Sequence, residues 1–154
     1  MITINRTDSD HPHFRELVRQ LDLDLAERDG KDHAFYAQFN KVDMIKHVVL
    51  AYDGDKPVGC GAIKPYGADT MEVKRMYVLP GDRGKGIATT ILTALEQWSM
   101  ELSCEKCILE TGKRQPEAIR LYQKNGYRVI PNYGQYVNAG NSVCFEKELE
   151  KPAY

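Results

Sequence analysis

Arg83-Gly84-Lys85-Gly86 carries the plainest chemistry in the sequence. Two glycines bare the backbone, two cations accompany them, and the apolar spacing after them reads as a helix. The first turn of a helix leaves about four N–H groups without internal partners and carries roughly half a unit of positive charge. Glycine lets a bulky anion approach those groups closely. A phosphate or pyrophosphate is the natural guest. Two other phosphate loops are excluded by spelling. A P-loop needs G-x-x-x-x-G-K-[ST], and here Gly86 follows Lys85. The dinucleotide fingerprint G-x-G-x-x-G/A meets Thr89 at its last position, which argues against a nucleotide-binding oxidoreductase.

Two carboxylates lie in strand-like runs. Glu110 ends the apolar run Cys107-Ile108-Leu109, where an unpaired charge is costly. A role, or a basic partner such as Lys113 or Arg114, is therefore expected. Strand alternation points it with Ile108 and away from Leu109. The same alternation puts Glu72 on one face with Lys74, Met76 and Val78. There it is either a working group or half of a surface ion pair worth under about 1 kcal/mol. Tyr122, taken alone, reads as a core aromatic at helical spacing. Cys60 and Cys144 read as small core hydrophobes. Cys104-Glu105-Lys106-Cys107 has no second pair to complete a zinc set, so its thiols read as a helix end and a strand start. His11, His13, His33 and His47 are scattered, and no metal is expected.

These residues need elements to position them. Met1–Arg6 reads as a short strand. Ser9-Asp10 offers an N-cap to a helix with Phe14, Leu17, Val18, Leu21 and Leu25 on one stripe. A second short helix is expected over Ala34–Asn40. Lys46–Tyr52 and Pro57–Pro65 form a hairpin about the turn Asp53-Gly54-Asp55-Lys56. Thr70–Leu79 is a further strand. The helix after the glycine loop carries Ile87, Ile91, Leu95, Trp98 and Leu102 on one face. Lys106–Thr111 is a strand, and Pro116 and Gly126 bracket the next helix. Tyr127–Pro131 and Asn141–Leu149 complete the set, around a loop at Asn132–Gly140. Hairpins followed by strand–helix alternation predict an α+β domain with a mixed, mostly antiparallel sheet flanked by helices.

The chain of 154 residues is expected to form a single domain, 1–154. Lys plus Arg is 21 and Asp plus Glu is 22, a net charge of −1, which gives no case for a dedicated nucleic-acid or anionic-membrane binder. No run of 18 apolar residues is present to span a bilayer. Met1–Arg6 lacks the apolar region of a signal peptide, and the expected address is cytoplasmic.

Val78–Ala88 resembles the central motif of the GNAT family, the Gcn5-related N-acetyltransferases. Its pattern Gln/Arg-x-x-Gly-x-Gly/Ala is met by Arg83, Gly86 and Ala88. Ala118-Ile119-Arg120-Leu121-Tyr122-Gln123-Lys124-Asn125-Gly126-Tyr127 resembles the family segment A-I-x-L-Y-x-x-x-G-F/Y. The motifs stand in the family's order, and the resemblance covers essentially the whole chain. It implies an acyl-CoA acyltransferase fold and acetyl-CoA as the acetyl-donating cosubstrate. The pyrophosphate would lie on the loop of Arg83, Gly84, Lys85, Gly86, Ile87, Ala88 and Thr89. The pantetheine arm would bond the backbone of Met76, Tyr77 and Val78. Tyr122 takes the place of the general acid that protonates the leaving thiolate. Its reference pKa of about 10, against about 8.5 for a thiol, means that the site would have to make it more acidic. Glu110 and Glu72 each stand where some members place the general base, acting directly or through a water. Gln115 stands where many relatives carry a coenzyme-supporting Asn; it could serve only as a helix N-cap.

The reaction so implied is acetyl transfer to a primary amine of a small molecule or peptide, by direct transfer in a ternary complex. A non-catalytic acyl-CoA sensor or assembly module is the alternative. The segment Asn132-Tyr133-Gly134-Gln135-Tyr136, with Tyr36 and Phe39, could wall the acceptor pocket. A homodimer is compatible with the resemblance.

Overall fold

A computed structural model describes residues 1–30 and 44–150. The expected helix Ala34–Asn40, with Tyr36 and Phe39, lies outside them. Seven strands form one sheet: β1 (Ile2–Thr7), β2 (His47–Asp53), β3 (Lys56–Gly67), β4 (Thr70–Val78), β5 (Lys106–Gly112), β6 (Arg128–Ile130) and β7 (Ser142–Glu148). Their order is β1-β2-β3-β4-β5-β7-β6. Every neighbouring pair is antiparallel except β4 with β5. Three described helices flank the sheet: α1 (Pro12–Asp29), α2 (Ile87–Glu101) and α3 (Pro116–Lys124). The class is the expected one, α+β with a mixed, mostly antiparallel sheet.

The N-cap of α1 differs from expectation. Pro12 sits in the first turn with its φ preset for a helix, so His11 becomes the cap and its Nδ1 accepts from the His13 N–H at 3.1 Å. Ser9 is buried and exchanges two hydrogen bonds with Ile45 instead, at 2.9 and 2.8 Å. The apolar stripe of α1 (Phe14, Leu17, Val18 and Leu21) is buried against Val48, Leu50, Cys60, Ala62 and Tyr77 on one face of the sheet. On the other face Ile87, Ile91, Leu92 and Leu95 of α2 pack over β3 and β4. That approach is close. A Cβ on Gly61 would lie 2.7 Å from Met76 Sδ and 2.9 Å from both Ile91 and Leu95, so only glycine fits there.

Two irregularities in β4 shape the centre of the sheet. Arg75 has φ +60, and the register against β3 shifts between Cys60 and Ala62. This is a β-bulge, one extra residue that resets the alternation. Met76 and Val78 therefore pack with Val73 beneath α2, whereas Glu72 and Lys74 alternate onto the α1 face. The expected common face of Glu72, Lys74, Met76 and Val78 is thus broken in two, because a period of two does not survive a bulge. The second irregularity is the parallel join. The register of β4 and β5 comprises Thr70↔Lys106, Met71↔Cys107 and Glu72↔Ile108. β4 continues to Val78 and β5 to Gly112, so the strands part after Glu72 and a wedge opens in the middle of the sheet.

Candidate active site

The wedge is a cavity of about 120 Å³. Its walls bring together Glu72 and Met76 of β4, Glu110 of β5, and Gln115 and Tyr122 of α3 and its N-cap, with Tyr136 from the β6–β7 loop. Glu72 and Glu110 reach it from strands, and Tyr122 from α3. The Tyr122 ring is 6% exposed, packed on Tyr127 at 5.8 Å and Phe145 at 6.0 Å between centroids. It belongs to the core beneath α2, yet it lines the same cavity as the glutamates because the strands between them have separated.

Each carboxylate has a tailored neighbour. The Tyr133 hydroxyl donates to Glu72 Oε2 at 2.6 Å, and Lys74 Nζ lies 3.8 Å from Oε1. The Ser142 hydroxyl donates to Glu110 Oε2 at 2.6 Å. Where a role or a basic partner such as Lys113 or Arg114 is expected for Glu110, the half-buried carboxylate is held by a hydroxyl across the β5–β7 pairing. Asn132 organises the loop that supplies Tyr133, donating to the carbonyls of Tyr136, Ala139 and Ser142 at 3.1, 3.2 and 3.2 Å.

The electrostatics correct one expectation. Burial, reinforced by the charge of Glu110, raises the Tyr122 pKa above the ordinary phenol value rather than lowering it. Burial and Glu72 do the same to Tyr133. Both phenols keep their protons throughout the neutral range and are hydrogen-bond donors only as neutral groups. Gln115 departs from expectation too. It is the N-cap residue of α3 through its backbone, but its side chain makes no cap bond and instead borders the cavity.

A second depression lies between the start of α2 and the outer side of α3. Val78, Arg83, Ile87 and Ala88 border it, with Gly84, Gly86 and Thr89. Gly84 and Gly86 both have φ +81, and the space where their side chains would be is open. Gly86 is the N-cap of α2. Bare amides, open room above them and a helix start meet the needs of a diphosphate. Asn125 ties the two walls together, donating to Thr89 Oγ1 at 3.3 Å.

The loop's own cations are both held by neighbours, and only Arg83 borders this space. Arg83 Nε donates to the Val78 carbonyl at 2.9 Å, and its guanidinium lies 5.5 Å from the Tyr77 ring. Lys85 Nζ is 3.5 Å from Asp82, which Lys56 also approaches at 3.5 Å. Lys85 and Tyr77 line neither depression, and the Tyr77 side chain lies in the α1 core. Further positive charge comes from Arg120 and Lys124, one helical turn apart on α3. Sequence reading missed them, although their i, i+4 spacing beside a glycine loop was the available signal. Ser142 and Arg75 were missed as well, and no local pattern marks either one.

A split sheet with a carboxylate- and phenol-lined cavity at the split, next to a backbone anion cradle, defines an acyl-CoA-type acyltransferase. The chain belongs to the acetyltransferase (GNAT) family, whose description matches residues 12–127, and is an acetyl-CoA-dependent acetyltransferase. It is 37% identical over 154 residues to an IAA acetyltransferase of Azospirillum brasilense, a match covering 96% of this chain and 98% of that one. It is 41% identical over 86 residues to the uncharacterized N-acetyltransferase YjgM of Escherichia coli, covering 53% of this chain and 50% of that protein. Among solved structures it resembles an acyl-CoA N-acyltransferase from Klebsiella pneumoniae subsp. pneumoniae, with TM-score 0.80, 29% identity and coverage of 97% and 99%. None of the described helices is long and apolar enough to cross a membrane.

Proposed function

We propose that residues 1–154 act as a single N-acetyltransferase domain. It moves the acetyl group of acetyl-CoA directly to a primary amine of a small molecule or peptide while both substrates are bound. The observation that carries this reading is the meeting of Tyr122, Glu72 and Glu110 around one cavity, with β4 and α3 walling both it and the depression at the glycine loop. The diphosphate would rest on the amides of Gly84–Thr89, with Arg120 and Lys124 at its rim. The arm would run along Met76–Val78, where β4 has left β5 and its backbone groups face the wedge.

The chemistry then needs four proton and electron movements. An ammonium has no lone pair, so the acceptor must first give up a proton. Glu110 is the carboxylate whose charge Tyr122 feels most strongly, and we assign it that proton, taken directly or through a water. Glu72, held by Tyr133 and Lys74, keeps the ammonium at the entrance beforehand. The free amine attacks the thioester carbon, the carbon–sulfur bond breaks, and the departing thiolate takes the Tyr122 proton. The attacking nitrogen still carries one proton too many; it returns that proton to the Tyr122 phenolate, and the proton held by Glu110 passes to solvent, so nitrogen loses two protons, sulfur gains one and one is released. The buried phenol is a weak acid, so its proton moves as charge builds on sulfur and not before.

A screen of amines that reads release of free coenzyme A thiol tests this. Turnover with at least one amine is the expected result, with Glu110→Gln more damaging to kcat than Glu72→Gln. Tight acetyl-CoA binding without turnover on any amine would identify a sensor instead.

A further inference from the structure

We propose that Arg75 is a carboxylate receptor in the acceptor cavity, so that the amine acetylated here also bears a carboxylate, as an amino acid does. The inference rests on the function proposed above and names its substrate class.

Three independent features of Arg75 converge. The first is its backbone. It occupies the left-handed region at φ +60 in the bulge of β4. That region strains a residue with a Cβ, and such outliers persist where the surroundings hold them for a purpose. Asn or Gly would sit there at less cost, so something other than the turn selects arginine.

The second is its hydrogen bonding. The residue is only 7% exposed. Nη1 donates to Asp22 Oδ1 of α1 at 2.7 Å, while Nη2 is buried and has no partner among the described residues. Buried donors are almost always paired, and a guanidinium presents its nitrogens as a fork matched to a carboxylate. A purely structural pairing with Asp22 accounts for Nη1 and leaves Nη2 unexplained.

The third is the charge of the wall. Arg75 lines the same cavity as Glu72, Lys74 and Glu110, two groups of each sign. Lys74 already lies 3.8 Å from Glu72. A polycation such as a polyamine would meet no net attraction. A zwitterion meets both poles, with its ammonium toward the glutamates and its carboxylate toward Arg75.

Matched acceptors decide the matter. Each amino acid is compared with its own carboxamide, which keeps the amine and neutralises the acid group, and kcat and KM are read separately. The wild-type protein should favour acids over amides by at least about tenfold in kcat/KM, mainly through KM. Arg75→Gln should collapse that ratio toward one, and Arg75→Lys should leave an intermediate ratio. Equal use of acids and amides by the wild-type protein, or an unchanged ratio in Arg75→Gln, would overturn the inference. The wild-type comparison needs no variant to fold. If no amine turns over, the transfer reading fails by itself. Calorimetry in the presence of coenzyme A then still decides the role of Arg75. N-acetylglycine should bind more tightly than N-acetylglycinamide, and equal binding would refute it.

Discussion

The depression at the start of α2 and the cavity at the sheet split share β4 and α3 as walls but are made of different material. The first is mostly backbone: two left-handed glycines, a helix start and a strand edge. The second is mostly side chains, each steadied by a partner far away in sequence. Tyr133 reaches Glu72 across 61 positions, Asp22 reaches Arg75 across 53, and Ser142 reaches Glu110 across 32. A backbone site answers to a feature shared by every donor of one class, the diphosphate, and tolerates little variation. A side-chain site can be re-lined residue by residue without disturbing the sheet. Under the function proposed above, the donor is then set by the chain's local geometry and the acceptor by its tertiary contacts.

The sharpest way to break this division is at Tyr122, which belongs to the cavity but is carried by the helix that also walls the proposed donor pocket. Tyr122→Phe removes one oxygen and keeps the ring packed on Tyr127 and Phe145. If the phenol is the acid, kcat should fall by about 10²- to 10⁴-fold, with the KM of acetyl-CoA nearly unchanged. Retention of full kcat on an authentic acceptor would remove Tyr122 from the chemistry. The donor pocket should show the opposite pattern. Gly86→Val places a β-branched residue at φ +81 in open space, so nothing clashes but the backbone is strained, by about 1–2 kcal/mol. The loop should relax, raising the KM of acetyl-CoA about tenfold while kcat at saturation holds. A fall in kcat equal to that of Tyr122→Phe would show that the two regions are not separable.

The same division explains what could be read before the fold was known. The glycine loop, the helix it starts and Tyr122 on a helix closed by Gly126 are local spellings, and all three lie where expected. The common face of Glu72 and Met76 does not survive, because the bulge at Arg75 resets a period that only tertiary packing reveals. The direction of Arg83 and Lys85 was equally hidden. Nothing in Arg-Gly-Lys-Gly says that the Val78 carbonyl and Asp82 will hold the two cations. Pairings across tens of residues have no one-dimensional trace in a single sequence. That is why the hydroxyls of Tyr133 and Ser142 had to be found in the structure.

A milder test addresses one of those hydroxyls. Tyr133→Phe deprives the buried Glu72 carboxylate of a hydrogen bond worth about 1.5 kcal/mol, with Lys74 still beside it. The expected loss is about 5- to 20-fold in kcat/KM for the acceptor, with the KM of acetyl-CoA unmoved. Measuring both constants in one bisubstrate experiment checks this, and an equal rise in both KM values would count against separate sites.

The smallest effect is expected where the two regions touch, at the bulge itself. Cys60 lies fully buried beneath it and its thiol donates to the Arg75 carbonyl at 3.3 Å. Burial is the main cause that pushes this thiol from 9.0 up to about 12. Cys107 is pushed from 9.0 to about 11, again chiefly by burial. A raised folded-state pKa means that the unfolded chain loses its proton first. The stabilising contribution is therefore whole below about pH 9 and drains away as pH climbs toward 12, where the folded thiol would also ionise. For Cys60 the total is on the order of a few kcal/mol. Cys60→Ala should cost about 1–2 kcal/mol at pH 7, from the lost sulfur packing and the weak S–H···O bond. It should also lessen the alkaline decline in melting temperature between pH 9 and 11, leaving the portion due to the other raised groups, among them Cys107 and the phenols of Tyr122 and Tyr133. Because the thiol steadies the bulge from the α1 face, the variant should loosen Arg75 before it touches the glycine loop. The KM of a carboxylated acceptor should rise a few-fold while that of acetyl-CoA stays put. A rise confined to acetyl-CoA would mean that the bulge serves the donor arm and that the acceptor side is anchored elsewhere.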